Sequence, residues 1–498
     1  MDRVRTFLAA LDRSDFSVLG RLYLAPGRWL AVTPSEYLVV LVAGAAWIAA
    51  AGWIAWRIFR RGTPASASSD PRAAGSLFRA ALVLYLGAGA YVTLVYPPTS
   101  DEPHYLNLAE SLVADGDIRL ADNYARGDYL RFYPVSGIDP HTVVTPDGEM
   151  YSQHTIGLPL LVLPGYAIAG RWGSLLILAL VAAALAPALY RLCRRAGVAS
   201  RAAHVTVGLT AATAPLAFAS TLVFTDVPAA LLAATALAGS SSVWIPAACA
   251  SALPWLHPRF AAIAAGLLAV NLLRSRNRAG VLGIWAGAAA ASGAVFFAVY
   301  HGAALVSALN VLTERYPARL DELSGTTIWD NIALRFLLPG IFAKLLDRDF
   351  GVLAFAPWLV VLLPGIVVAA RRRKFPHADL VLGGGAYALI TCLYRNWAGS
   401  AYPGRTLVAL LPFAIPYLGV GVEWALGGRA RARSLAALAA VAIATAWLLT
   451  AIPVLRYTSG REWMAAKAGV SWRVLPFTWF PSCTLERARD PGRIGTAP

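Results

Sequence analysis

Two adjacent carboxylates carry the first chemical signal. Asp101 and Glu102 follow Pro97-Pro98-Thr99-Ser100 and precede Pro103-His104-Tyr105. Pro103 disfavours a helical Glu102 but suits the first position of a helix itself. Beyond it, Tyr105, Leu108, Ala109 and Leu112 fall at i, i+3, i+4 and i+7, the apolar stripe of an amphipathic helix. The pair therefore sits on an elbow where a surface-lying helix begins, and the helix dipole favours an ionised carboxylate there. One such group can act as a general base, taking a proton from an attacking hydroxyl. It can equally do no more than cap the helix and face water. His104, His141 and His154 share the same acidic stretch and could meet at a metal, although no paired ligand spacing marks them.

The elements that must hold these groups are membrane helices. Of 498 residues 58% are hydrophobic and only 14% charged, against about 25% in soluble domains. That excludes an ordinary soluble protein, a disordered chain and a disulfide scaffold. The four cysteines, Cys193, Cys249, Cys392 and Cys483, share no metal-ligand spacing. The net charge of +16 does not point to nucleic acid, because the arginines lie in short clusters between apolar runs and read as orientation signals. The fold class is an all-α polytopic membrane protein of about twelve spans. They are expected near 37–57, 77–97, 173–190, 202–222, 227–243, 244–257, 258–273, 280–301, 350–370, 378–395, 405–426 and 434–453.

Five arginine clusters, around Arg57–Arg79, Arg191–Arg201, Arg274–Arg278, Arg371–Lys374 and Arg429–Arg433, belong on the cytoplasmic side. The segment 98–155 carries ten carboxylates and belongs outside as the first large outer loop; 302–349 is the second. Pro- and Gly-broken 156–170 reads as a helix at the outer surface, leaving 173–190 as the crossing. Residues 1–36 form an N-terminal interfacial segment, with 16–32 as a helix that snorkels its arginines. Residues 37–453 form the transmembrane domain, and 454–498 an outer C-terminal tail. No cleavable signal peptide is expected, and Thr63–Pro71 reads as a polar linker.

A carboxylate just after an early span, in an outer loop followed by a helix, resembles the GT-C membrane glycosyltransferases. Bacterial aminoarabinose transferases and protein O-mannosyltransferases are examples. Tyr151-Ser152-Gln153-His154-Thr155-Ile156-Gly157-Leu158-Pro159-Leu160 resembles the segment that ends their first outer loop, with Gln153-His154-Thr155 where relatives often carry proline. Phe224-Thr225-Asp226-Val227-Pro228 resembles the acidic turn between their next spans. The stretches Asp347–Pro357 and Asn396–Arg405 resemble motifs of uncharacterised bacterial members.

The resemblance implies transfer of a sugar from a polyprenyl-phosphate carrier to an envelope glycan, lipid or protein acceptor. It places the active site on the outer face of the bacterial cytoplasmic membrane. Asp101 is then the expected base, with Glu102 as alternative, and one displacement inverts the anomeric centre. The leaving phosphate calls for cations. Arg259 after His257-Pro258, Arg405 after Tyr402-Pro403-Gly404, and Lys344 and Arg348 are the candidates, each with interfacial snorkelling as its plain alternative. His154 and His257 join them as substrate-side candidates. Asp226 is either a second acidic site residue or an N-cap. Asp115-Gly116-Asp117 and Asp347-Arg348-Asp349 spell the Asp-x-Asp pattern of nucleotide-sugar sites, but the first reads better as a turn. No resident cofactor is called for; a divalent cation is compatible with the chemistry without being required. A secondary transporter is the rival class, although its expected midplane charges and repeats are missing from spans such as 202–222. A lipid-linked glycan ligase or polymerase is the rival within the enzymes.

Overall fold

The computed structural model describes residues 34–62, 70–133, 138, 140–144, 148–239, 242–300, 332–373, 375–394, 402–452 and 456. The expected interfacial helix 16–32, most of the linker, residues 302–331 of the second outer loop, residues 396–401 of the Asn396–Arg405 stretch and the tail beyond Arg456 lie outside these residues. The architecture is that of an all-α membrane protein. Helices α1 (Pro34–Gly62) and α2 (Asp70–Val95) lead into a segment containing α3 (Glu102–Ala114) and α4 (Ala121–Arg126). An antiparallel hairpin follows, β1 (Thr142–Val144) against β2 (Met150–Ser152), with Val143 opposite Tyr151. Then come α5 (Gly157–Arg195), α6 (Ser200–Ala212), α7 (Leu216–Ala219), α8 (Asp226–Ala238), α9 (Trp244–Leu256), α10 (Ala261–Arg274) and α11 (Arg278–Tyr300). The last part holds α12 (Leu337–Leu346), α13 (Val352–Phe355), α14 (Leu362–Ala370), α15 (His377–Leu393), α16 (Leu411–Leu426) and α17 (Arg429–Ala451).

Five helical stretches among the described residues are long and apolar enough to cross a membrane: Asp70–Leu94, Gly157–Arg195, Arg278–Val299, Arg405–Leu426 and Arg429–Ala451. Asp226–Ala238, Trp244–Leu256, Pro357–Ala370 and His377–Leu393 are apolar but shorter. The twelve expected spans are therefore not all recovered as full-length helices. The run 202–222 shows why. Helix α6 has 13 residues, about 20 Å at 1.5 Å per residue, against a hydrocarbon core of about 30 Å. Thr213 is extended after it, and Pro215, which has no N–H to give, precedes the single turn of α7. The run 350–370 is likewise divided, at Ala356-Pro357. Val295 and Phe297 on α11 and Leu363 and Val367 on α14 are more than half exposed, which suits a face against lipid.

Two features of the middle of the chain shape the site. Helix α5 is interrupted at Ala169 and Gly170, the last residues of the expected surface helix 156–170 and just before the expected crossing 173–190. Gly170 has φ 55° and ψ −135°, a conformation open essentially to glycine alone. The break folds the two arms together so closely that a Cβ on Gly165 would stand 2.3 Å from the Gly173 carbonyl oxygen. Helix α3 departs from expectation in its surroundings. It begins at the predicted elbow, but instead of lying on a surface it is buried from Glu102 to Ser111, packed on α5 and the turn Asp128–Arg131. Its stripe residues Tyr105, Leu108 and Ala109 are buried as predicted, and so are Leu106 and Asn107 on the other faces.

Candidate functional site

Four charged residues from four distant segments form one chain of ion pairs. The Arg405 Nη2 donates to Asp101 Oδ2 at 2.6 Å, and its Nε lies 3.4 Å from Asp226 Oδ2. The other Asp226 oxygen accepts from Arg259 Nη2 at 2.7 Å. The two middle members are closed off, Asp226 with 0% and Arg405 with 5% of the side chain exposed. The two ends, Asp101 and Arg259, each keep 19% exposed, so the row opens to a ligand at its ends.

Local structure explains each placement. Asp101 stands at the N-cap position of α3, after Ser100 at φ 55°. Ser100 has the one positive φ among the described non-glycine residues, a strained conformation next to the carboxylate. Asp226 opens α8, yet guanidiniums take both its oxygens; it is a bridge, not a helix cap. Arg259 lies in the 3-10 turn Pro258–Phe260, where His257 Nδ1 accepts its backbone N–H at 3.1 Å. Arg405 follows Gly404, whose φ of 73° turns the chain and whose N–H donates to Phe350 O at 2.9 Å. Its guanidinium lies over the Phe224 ring at 4.2 Å. Lys344 on α12 donates to Thr406 Oγ1 at 2.8 Å, next in sequence to Arg405.

Asp101 also faces two imidazoles. His141 Nδ1 and His154 Nε2 are 3.2 Å apart, and with an Asp101 oxygen these ligand atoms all lie within 4.8 Å of one another. Burial would raise the Asp101 carboxyl, but the Arg405 guanidinium beside it holds it far below the usual carboxylate range. Burial pushes His154 down to about 4, so its imidazole is neutral near pH 7 and has a lone pair to offer. A divalent ion with bonds of ~2.0–2.2 Å would space tetrahedral ligands ~3.4 Å apart. The imidazole pair already meets that spacing, so two imidazole nitrogens and one carboxylate fit a divalent ion of the zinc type. The three-histidine arrangement considered from sequence is not what forms. His104 stacks on His141 at 3.9 Å and bonds Tyr124 OH at 3.0 Å, leaving Asp101 as the third donor.

The other candidates fall elsewhere. Glu102 is fully buried, and its two oxygens accept from Val223 N at 2.8 Å and Thr99 N at 3.1 Å. It ties the elbow to the turn before α8. Arg348 is about half exposed and pairs with its neighbour Asp349 at 3.5 Å, outside the chain of ion pairs. Neither Asp-x-Asp pattern converges on a site. Asp115 is gripped by Arg126 at 2.6 Å and by Asn123, Gly116 turns with φ 74°, and Asp117 accepts from Arg119 N. In the second, Asp347 Oδ1 accepts from Asp349 N and Phe350 N, shaping a turn. Two of the three histidines grouped from sequence, His141 and His154, do meet here, with Asp101 in place of His104; the site residues that sequence reasoning passed over are the tyrosines Tyr105, Tyr387 and Tyr402. The three tyrosines surround the ion pairs; only Tyr402, three positions before Arg405, carried a local signal.

No protein-family model matches the chain, and no curated protein matches it. Among solved structures, the archaeal oligosaccharyltransferase AglB from Archaeoglobus fulgidus, in complex with an inhibitory peptide and a dolichol-phosphate, is 14% identical with a TM-score of 0.39. The match covers 76% of this chain and 56% of that one. The Archaeoglobus fulgidus oligosaccharyltransferase in complex with zinc and sulfate is 15% identical with a TM-score of 0.40, over 76% of this chain and 53% of that one. The chain thus spans little more than half the length of the structures it matches.

Proposed function

We propose that the protein is a membrane glycosyltransferase that moves a sugar from a polyprenyl-phosphate carrier to an envelope acceptor on the outer face of a bacterial cytoplasmic membrane. The observation that carries this reading is the row Asp101–Arg405–Asp226–Arg259, open at a carboxylate end and at a guanidinium end. One end accepts a proton and the other meets a departing anion, the two demands of glycosyl transfer from a phosphate.

In the proposed reaction the acceptor hydroxyl oxygen attacks the anomeric carbon and its proton passes to Asp101. The bond from that carbon to the phosphate oxygen breaks, and the phosphate leaves with the electron pair. One displacement inverts the anomeric configuration. Asp101 Oδ2 is held by Arg405, while Oδ1 is touched at 3.5 Å by Ser100 Oγ and is the atom free to take the proton. With Arg405 on it, the carboxylate is a weak base. A phosphate that draws the Arg405 donors to itself relaxes that hold and raises the proton affinity of Asp101 as the donor arrives. Arg259 and Lys344 supply the remaining positive charge against the leaving group. Were a divalent ion held by Asp101, His141 and His154, it would supply Lewis-acid stabilisation of phosphate charge.

The test is purified protein with radiolabelled polyprenyl-phosphate sugars and an envelope extract. Label appearing in a new glycosidic bond of inverted configuration is the expected result. Movement of substrate across proteoliposomes without any new bond would make the protein a transporter instead.

A further inference from the structure

The ion pairs are ringed by phenols with nothing to bond. Tyr105 on α3, Tyr387 on α15 and Tyr402 before Gly404 are each completely buried, and none of the three hydroxyls meets a hydrogen-bond partner among the described residues. All three lie within electrostatic reach of Arg259, Arg405 and Asp226. Arg259 Nε is likewise buried and unmet. Packing explains why the rings are there. Tyr402 meets Phe224 edge-on at 5.8 Å, Tyr387 stacks on Phe260 at 5.6 Å, and Tyr105 lies against His154 at 4.7 Å. It does not explain the hydroxyls, since phenylalanine would pack as well, and an unmet buried hydroxyl costs stability.

The kind of ligand follows from what the site has left to give. Its carboxylates already accept from guanidiniums, whereas three O–H groups and one guanidinium N–H are unspent donors. A partner rich in acceptors and poor in donors completes such a set. A phosphate group matches this; a sugar ring brings hydroxyl donors of its own.

We propose that Tyr105, Tyr387 and Tyr402 form a phenol cradle that, with Arg259, binds the phosphate of the carrier lipid. The cradle's lipid source rests on the donor class proposed above; its phosphate chemistry stands on the unmet donors. The three are binding residues, and they keep the free protein less stable than it could be in order to hold the anion.

The experiment measures binding of three compounds to the purified full chain: a polyprenyl monophosphate, the matching polyprenol, and inorganic phosphate. Tyr105→Phe, Tyr387→Phe and Tyr402→Phe are compared with the parent, alongside thermal unfolding without ligand. Each change should weaken the monophosphate by about tenfold or more, the typical worth of a hydrogen bond to a charged group. Polyprenol binding should not move, and the unfolding midpoint should hold or rise. Unchanged monophosphate affinity in all three variants overturns the cradle and leaves the donor class standing. A lowered midpoint with unchanged binding does the same, by showing a structural hydroxyl. If the parent ignores the lipid phosphate but binds inorganic phosphate with the same sensitivity to phenylalanine, the lipid donor falls and the cradle stands. A parent that binds neither overturns both.

Discussion

Replacing Asp101 with Asn separates a chemical role from a structural one, and the geometry sets both magnitudes. An amide keeps the shape and can still accept from Arg405 Nη2, now at 2.6 Å from the carboxylate. Arg405 does not lose its only carboxylate, because Asp226 Oδ2 remains 3.4 Å from its Nε. Asp101 is also 19% exposed, so water can serve the new amide. The folding cost should therefore stay near the worth of one hydrogen bond, about 1 kcal/mol. The chemical cost is of another order. An amide takes up no proton near neutral pH, and loss of general-base assistance typically slows turnover by about 10²–10⁴. The assay is single-turnover transfer from a radiolabelled polyprenyl-phosphate sugar, with unfolding in detergent measured on the same preparation. Asp101→Asn should unfold close to the parent and transfer at least a hundredfold more slowly. Turnover within a few-fold of the parent would refute the base assignment and leave Asp101 as the ion-pair partner of Arg405, since its side chain makes no capping hydrogen bond to α3.

Asp226→Asn should do the reverse and act first on folding. It leaves buried Arg405 and partly buried Arg259 without the charge between them, a loss of about 3–5 kcal/mol by the usual cost of breaking a buried pair, read from detergent unfolding. Glu102→Gln replaces one accepting oxygen with an NH₂ facing either Val223 N or Thr99 N. Stability should fall by about 1–3 kcal/mol, while transfer per folded molecule stays near normal; a selective collapse of turnover would move the base one residue along. Reconstitution with zinc followed by metal analysis should find one ion per chain, lost in His154→Ala, and equal metal in both would dismiss the Asp101–His141–His154 set. Gly170→Ala places a side chain in a backbone region reserved for glycine and should cost about 1–3 kcal/mol of unfolding stability.

The elbow at Asp101–Glu102, the helix after it, the acidic turn at Asp226 and the arginines 259 and 405 were each visible as local features. Pro103, Pro228, Pro258 and Pro403 punctuate the chain beside them. Their union was not visible. Arg405 reaches Asp101 across 304 positions and Asp226 across 179, and no local pattern encodes such a pairing. The same limit hid the division of labour between adjacent carboxylates. Asp101 and Glu102 look alike in sequence, and only the approach of Val223 from another loop commits Glu102 to backbone amides. Apolar runs overstated the spans, because hydropathy sums over Pro215 and Pro357 while the hydrogen-bond ladder stops there. Burial of α3 was missed because its stripe predicts one apolar face, whereas the turn Asp128–Arg131 and α5 cover it.

The long separation between Asp101 and Arg405 also bears on how the protein is made. At about 5–20 residues per second, the 304 positions between them amount to roughly 15–60 s of synthesis. Throughout that interval the first loop is already complete, yet its carboxylate lacks Arg405, the residue that joins it to the Asp226–Arg259 pair. Under the donor class proposed above, carrier lipid that meets the nascent chain therefore finds the row incomplete. Competence arrives with the segment that begins at Arg405, so the site closes near the end of synthesis. Chains stalled before that point should insert with the row incomplete and, under the proposed donor class, hold carrier lipid poorly. Photocrosslinking of a polyprenyl phosphate to ribosome-bound chains of graded length would show capture before residue 405 if this order of assembly were wrong.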